Sequence, residues 1–322
     1  MHLIRPATPL LASAPGRVFF LLPMKYSKPP LSISDQIAAL ERRGMVFSDK
    51  TAAAHYLSHI SYYRLRAYTF PYQNNADPNH PFWRPTPFRR VLEDYILDRK
   101  LRLITFDALE KIEIALRTQI IYCYSIQFGS HWYEDATHFR NPQLFKGDIE
   151  NLDREIRRSQ EEFIKHYKSK YTDPGRPPAW MSLEVSTLGT LSKMYDNLNL
   201  GPEKKQVAKH FGLGHPFVLE SWMKTFSHIR NICAHHSRLW NRPITIIPVL
   251  PHKVNDAWLS GKFLGEPHKI FSSLCCIRFF LNRISPGNNF SHKIQELLVS
   301  NPTANLQTMG FLPGWEQEPL WK

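Results

Sequence analysis

The chain has 322 residues, of which 43% are hydrophobic, so it can bury a substantial core as one large domain or as two. Its 41 Lys and Arg residues outnumber its 28 Asp and Glu residues, which gives a net charge of +13 and a pI of about 9.6. This charge favours a polyanionic partner, nucleic acid before membrane, and the alternative is a generic basic protein. No apolar run reaches the ~20 residues of a membrane span. Glycine motifs for nucleotides and a serine-hydrolase elbow are also absent, so kinase, dehydrogenase and esterase functions have no support.

The four cysteines argue against zinc knuckles and disulfide frameworks. Because they lie in apolar helical segments and form no CxxC pair, the sequence predicts a protein of the reducing cytoplasm. They are Cys123, Cys233, Cys275 and Cys276.

Residues 1–23 differ from the rest of the chain, because four prolines and a glycine interrupt or end their apolar pieces. We interpret them as a disordered extension or a misassigned start, with Met24 as the natural beginning. Residues 24–73 are predicted to form a small N-terminal helical lobe. Ser34 is the predicted cap of a first helix that ends at Gly44, and Ser48 is the predicted cap of a second helix.

An aromatic and basic segment, ISYYRLRAYTFPYQ, follows these two helices. Tyr62, Tyr63, Arg64 and Arg66 could bind RNA by stacking on bases and contacting phosphates. The alternative is that the tyrosines seal the lobe against the main body of the protein, and it is the simpler interpretation.

Residues 74–87 hold four prolines and are predicted to be the linker between this lobe and a main helical domain over residues 88–285. A long helix is expected over 88–128. Glu113 and Arg117 lie four residues apart on it, which favours an intrahelical ion pair. A second interpretation is that the pair orients the side chains of a functional site, that of Arg230 and His235. Further helices are predicted over 149–170, 181–197, 204–211, 217–240, 268–284 and 291–299, with a β-like arm at ITIIPVLP and a Trp-rich tail closing a C-terminal region of 286–322.

The predicted helix from Phe217 to Trp240 has two different faces. One face is an apolar stripe at three- and four-residue steps, formed by Leu219, Trp222, Phe226, Ile229 and Cys233. Asn231 and His235 are four residues apart on the other side, and the side chain of Arg230 is long enough to reach His235. Core packing does not require a guanidinium, an amide and an imidazole there, although a solvated helix face remains the plain alternative.

The spacing of Arg230, Asn231 and His235 resembles the RX4-6H motif of the HEPN ribonucleases, helical domains found in toxins, antiphage proteins and RNA-guided effectors. Four segments in order also resemble the Abi family of abortive-infection proteins, in its AbiD- and AbiF-like group: KPPLS, SYYRLRAY, DRKLRLITFDALEKIEIALRTQI and MGFLPGWEQEPLW. The Abi family is placed among HEPN proteins. The resemblance implies an all-α fold, a HEPN-like helical bundle with a small N-terminal helical lobe.

Cleavage of RNA through its 2′-OH needs a base, an acid and positive charge on the phosphorane. His235 suits proton transfer near neutral pH, and Arg230 suits bidentate contact with phosphate. Asn231 could orient either the imidazole or the phosphate, and His236 is a candidate helper or a structural residue. Such chemistry requires no metal and no cofactor. The expected products carry a 2′,3′-cyclic phosphate and a 5′-OH, as the resemblance also implies.

Two alternatives compete with the ribonuclease hypothesis. A metal site would use His228, His235 and His236, but adjacent histidines point about 100° apart and HExxH is absent. A non-catalytic RNA-binding or assembly module of a defence or toxin–antitoxin system would use the same basic charge.

The expected partners are RNA, a second copy of the chain, and a noncoding RNA or protein antitoxin. With one His-containing motif per chain, the same histidine must act first as the base and then as the acid, or another group must take one of the two roles. A twofold dimer would bring two such motifs into one cleft, as the HEPN resemblance also implies.

Overall fold

The computed structural model describes residues 26–27, 29–251, 254 and 256–322, so the interpretation of residues 1–23 lies outside the described residues. The described chain is an all-α bundle, as predicted, with one pair of two-residue parallel strands, β1 (Met45–Val46) and β2 (Thr86–Pro87). No helix in these ranges is both long and apolar enough to cross a bilayer. Its helices are α1 (Ile33–Arg42), α2 (Lys50–Ile60), α3 (Tyr62–Thr69), α4 (Phe88–Phe128), α5 (Pro142–Arg158), α6 (Glu162–Lys170), α7 (Ala179–Ser182), α8 (Leu188–Asn197), α9 (Pro202–His210), α10 (Pro216–Ala234), α11 (Ile270–Ile284) and α12 (Phe290–Val299).

The first two helices form where they were predicted, but different residues cap them. Ser32, not Ser34, accepts a hydrogen bond from the backbone N–H of Asp35, and so α1 begins two residues earlier than expected. Asp49, not Ser48, accepts from the backbone N–H of Ala52 at the start of α2. In both cases the cap is the residue whose side chain reaches a free N–H of the first turn.

The connection between α3 and α4, predicted as a linker over 74–87, is folded onto the N-terminal helices. The backbone N–H of Phe82 donates to the carbonyl of Arg43 at 2.7 Å, and that of Thr86 donates to the carbonyl of Gly44 at 3.1 Å. Phe82 is buried, and the Arg43 guanidinium lies over its ring. These contacts therefore hold the residues of the connection in fixed positions.

Helix α4 is the centre of the bundle and has the predicted bounds. Its buried side packs against α3, α9, α10, α11 and α12, and Leu109, Ile112 and Leu116 are fully buried there. One continuous hydrophobic cluster includes these residues together with Leu57 and Leu65 of the N-terminal helices. The burial of this apolar surface fixes α4 beside both α3 and α10.

Two predicted helices are each divided in two. The segment 149–170 forms the end of α5 and all of α6, because the chain turns out of the helix at Ser159. The segment 181–197 contains the end of α7 and all of α8, because Thr187 caps α8 by accepting from the backbone N–H of Thr190. Glu155 accepts hydrogen bonds from both threonine hydroxyls and fixes this break. Single helices were the wrong prediction because hydrophobic spacing alone did not reveal these local caps.

The predicted β-like arm at ITIIPVLP forms no strand. Its carbonyls accept hydrogen bonds from side chains of α10 instead: Trp222 donates to Val249 at 2.7 Å, and Thr225 donates to Ile246 at 3.1 Å. The Trp-rich tail returns to the core, where Trp321 is fully buried and stacks against Phe271 of α11. Both segments cover the apolar outer faces of α10 and α11.

Candidate functional site

The apolar face of α10 is buried as its spacing predicts. Trp222, Phe226 and Ile229 are fully buried, and Trp222 and Phe226 pack against Phe280 of α11. Asn231 lies on the outer side of the helix and is exposed. The core therefore holds the helix by one face and leaves the end of the other face accessible.

Helix α10 ends at Ala234, so the prediction that it continues to Trp240 is wrong. The backbone N–H of His236 donates to Cys233, and that of Ser237 donates to Ile232 at 2.9 Å. These two bonds form a Schellman motif, in which His235 is the C-cap and His236 takes the left-handed conformation with φ of 55°. Glycine is the usual residue there, and an L-residue costs roughly 1–2 kcal/mol in this conformation. The helix thus places two adjacent histidines on a sharp turn, where both are exposed.

Helix α3 holds this turn directly. Arg64 of α3 donates from its guanidinium to the carbonyl of His236 at 2.6 Å. Arg238, two residues further on, donates to the carbonyl of Ala67 in α3 at 2.7 Å. Helix α3 and the turn after α10 are therefore linked by a reciprocal pair of arginine–carbonyl bonds, which are stronger than neutral hydrogen bonds.

A buried carboxylate, Asp98 of α4, anchors the same turn from below. One of its oxygens accepts from the backbone N–H groups of Leu239 and Trp240, at 2.9 and 2.6 Å. The other accepts from the Tyr68 hydroxyl at 2.6 Å and from the Arg102 guanidinium at 3.1 Å. Burial, together with the Asp98 charge, raises the pKa of Tyr68. One fully buried carboxylate therefore joins α3, α4 and the segment that follows the histidines.

Asp98 was not predicted from the sequence, although a signal for it exists. Asp94, Asp98 and Arg102 recur at four-residue steps along the side of α4 that carries its buried residues. Charged residues that continue an apolar stripe mark a buried polar network, because isolated charges are excluded from the core.

Glu113 of α4 lies between two arginines. It accepts a hydrogen bond from Arg117 at 3.0 Å, as predicted for the intrahelical pair, and its other oxygen lies 3.6 Å from Nε of Arg230. Arg117 also donates to the carbonyl of Ser186 at 2.9 Å, and the Arg230 guanidinium lies over the Phe106 ring. Arg230 is thus oriented by a carboxylate and a ring, while 34% of its side chain stays exposed. Glu113 thus contacts both arginines, and a supporting role for it stays a prediction.

The four residues of α3 that were predicted to bind RNA lie in different environments. Tyr63 and Arg64 are exposed beside the histidines, and both line one cleft with His235 and His236. The Tyr62 hydroxyl accepts a hydrogen bond from Arg43, and its ring packs against the core, so Tyr62 has a packing role. Arg66 is half-buried and lies about 200° around the helix from Arg64.

Two adjoining clefts contain four of the candidate residues, Tyr63, Arg64, His235 and His236, whereas Arg230 and Asn231 are not among the described residues that line them. The first, of about 470 Å³, is lined by Tyr63, Arg64, His235, His236, Arg238 and Arg242. The second, of about 610 Å³, lies between α4 and the end of α10, and it is lined by Arg99, Phe106 and Cys233 together with Arg64 and His236. Among the residues that the structure describes, no acidic side chain lines either cleft. The electrostatic field in both therefore favours an anion.

Other kinds of chemistry have less support in these clefts. Burial raises the pKa of Cys233 to about 12, so its thiol is protonated at neutral pH and is a poor nucleophile. His228 is the third histidine of the alternative metal site, and it faces Thr245. Burial and the nearby Arg242 lower its pKa. Across the described ranges, no group of three or more His, Cys, Asp and Glu side chains is arranged to hold a metal ion.

The turn after α10 and the helices around it lie within a segment that matches a known family. A family model described as Abi-like protein matches residues 55–241, which is more than half of the chain and spans α3, α4, α10 and the turn. The chain belongs to the Abi-like protein family. Membership of this family suggests a role in abortive infection and defence. No curated protein and no solved structure gives a significant match to this Abi-like chain.

Proposed function

We propose that the protein is a HEPN-type endoribonuclease that cleaves RNA without a metal ion and acts in abortive infection or as a toxin. In this proposal the RNA supplies the nucleophile, the 2′-OH beside the scissile phosphate. His235 takes or gives the proton, and Arg230 stabilises the charge that develops on the phosphorane. Asn231 orients the phosphate or the imidazole, and His236 fixes the turn that carries His235.

The observation that carries the proposal is the pair of exposed histidines beside Arg64 in a cleft without acidic residues. Imidazole is the side chain that exchanges protons most readily near neutral pH, and arginines recognise phosphate through paired N–H donors. Arg230 directs Nε towards Glu113, which leaves its two terminal nitrogens available to a phosphate. These properties support the assignment of proton transfer to His235 and of anion binding to Arg230.

The experiment that tests the proposal uses the purified full chain with end-labelled single-stranded RNA in buffer that contains EDTA. We expect cleavage in EDTA, with a 2′,3′-cyclic phosphate on one product and a 5′-OH on the other. Binding without cleavage would instead favour the alternative, a non-catalytic RNA-binding or assembly module. Cleavage that requires added Mg²⁺ would contradict the proposed chemistry.

We also propose that the active form is a twofold dimer, because one motif per chain offers one imidazole at His235 for two proton transfers. Beside Arg230, helix α4 exposes the apolar side chains Leu103, Phe106 and Ile114 on one side. A second copy that packed on this ridge would bury them and bring its own Arg230 and His235 to the same groove.

The dimer is tested with the variant Ile114→Glu, which places a charge on the exposed ridge without changing the core. We expect light scattering to show a dimer for the original chain and a monomer for the variant, with cleavage reduced in parallel. Mixed dimers that contain one His235→Ala chain should show whether the two sites act together. Full-rate cleavage by a strictly monomeric protein would exclude a shared site.

A further inference from the structure

Three large aromatic side chains are exposed around the turn after α10, on both sides of it. Tyr63 of α3 is 82% exposed, Phe70 at the end of α3 is 55% exposed, and Trp83 in the folded connection is 68% exposed. Single exposed aromatics are common on protein surfaces, but a group along one path is not.

The exposed aromatics line clefts that adjoin one another, beginning with the cleft of Tyr63, His235 and His236, which we call the histidine cleft. Arg238 lines both the histidine cleft and a neighbouring one, which contains Phe70 and Trp83. Trp83 in turn lines a further cleft together with Arg84. The path therefore runs from Tyr63, past His235, over Arg238, to Trp83 and Arg84. We call it the aromatic track.

Positive charge follows the whole aromatic track. No acidic residue lines any of its clefts, and in the described ranges no carboxylate lies within ion-pairing distance of Arg64, Arg84, Arg238 or Arg242. By contrast, the cleft between α5 and α6 is lined by Glu155, Glu161 and Glu184 with one arginine. The basic character is thus a property of this surface and not only of the whole chain.

The backbone under the track is fixed before any ligand binds. The N–H of Trp83 donates to the carbonyl of Tyr72 at 2.9 Å, and its neighbour Phe82 is buried and bonded to Arg43. On the opposite wall, Asp98 and Arg64 hold the turn that carries Arg238. Because this backbone is already ordered, stacking a base on its rings does not add the entropy cost of ordering a loop.

We propose that the aromatic track is the binding site for an unpaired strand of RNA, which enters or leaves the candidate active site over Arg238 and stacks a base on Trp83. This inference rests on the proposed ribonuclease function and names its substrate class. Alternating rings and guanidiniums match a single strand, because its bases can turn outward and its phosphates stay in reach of arginine. In a duplex the bases are stacked on each other and cannot reach these rings.

The test measures binding in a His235→Ala background, so that cleavage does not interfere. Fluorescence anisotropy at one fixed salt concentration compares a labelled 12-nucleotide single-stranded RNA with a duplex of the same sequence. We expect Trp83→Ala to weaken single-strand binding about tenfold. This factor corresponds to ~1.4 kcal/mol, which is the size of effect expected for one stacked base. Trp83→Phe keeps a ring and should bind within about threefold of the parent.

Trp180→Ala is the matched control, since Trp180 is 50% exposed on α7 and lines none of the track's clefts. It should leave single-strand affinity unchanged. Equal affinities of Trp83→Ala and the parent for single-stranded RNA, or equal binding of duplex and single strand, would overturn this proposal. A surface that binds a protein partner instead of RNA would give the first of these results. If the unsubstituted chain does not cleave RNA, but binding still depends on Trp83, the aromatic track stands and only the ribonuclease proposal is wrong.

Discussion

Replacing His235 by alanine is expected to lower the rate of RNA cleavage about 10²–10⁴-fold, because that is the usual contribution of a positioned proton donor or acceptor. Arg230→Ala should cause a loss of about 10²–10³-fold, similar to the removal of one charge-stabilising donor from other active sites. Both side chains lie off the buried face of α10, and Glu113 keeps Arg117 as a partner when Arg230 is removed. The helical content, measured by circular dichroism, should therefore be unchanged in both variants.

Two further variants show whether these losses are specific. His215→Ala removes an exposed histidine from the opposite end of the same helix, and it should cleave at the parent rate. Arg230→Lys keeps the positive charge but loses the paired donors, so it should recover only part of the activity. A folded His235→Ala chain that cleaves at the full rate would refute the assignment of His235.

Asp98→Ala should have the largest effect on stability, lowering the free energy of unfolding by about 3–5 kcal/mol. The substitution leaves the Arg102 guanidinium buried without its carboxylate, and it removes the acceptor from the N–H groups of Leu239 and Trp240. Thermal unfolding should show a drop in Tm on the order of 5–10 °C. In the fraction that stays folded, the turn after α10 loses its anchor and cleavage should fall as well.

Asp107→Ala is the control on the same helix. Asp107 is about half exposed and pairs with Lys111 and Lys293 at the surface, so its removal should cost about 0–1 kcal/mol. Tyr68→Phe removes only one of the bonds to Asp98 and should cost ~1 kcal/mol. If Asp98→Ala were as stable as Asp107→Ala, the buried network would not be what holds the turn.

Regular hydrophobic spacing predicted the fold well wherever one element contributes a long uninterrupted face. Helix α4 begins and ends at the predicted residues because Pro87 and Gly129 flank an unbroken stripe. The prediction was wrong where a side chain caps a break, as Thr187 does for α8 with Glu155 from another helix. Caps of this kind depend on tertiary contacts, which spacing along the chain does not contain.

The candidate site was predictable in part. The local spacing of Arg230, Asn231 and His235 identified the end of α10, but not the turn that exposes the histidines, because His236 occupies a conformation usually left to glycine. The contact of Arg64 with His236 joins residues 172 positions apart, and no local pattern encodes it. The packing of Tyr62 against the core and the exposure of Tyr63 could not be distinguished from the sequence either, since both are tyrosines on one short helix.

The most direct test of the proposed chemistry concerns the 2′-OH of the RNA itself. The bond that the full chain cuts in a short RNA is mapped first, and the same RNA is then prepared with a single 2′-deoxyribose on the 5′ side of that bond. In EDTA we expect the all-ribose RNA to be cut there, leaving a 2′,3′-cyclic phosphate, and the substituted RNA to stay intact at that bond. Equal cleavage of the two RNAs at the mapped bond would show that the 2′-OH is not the nucleophile and would contradict the account.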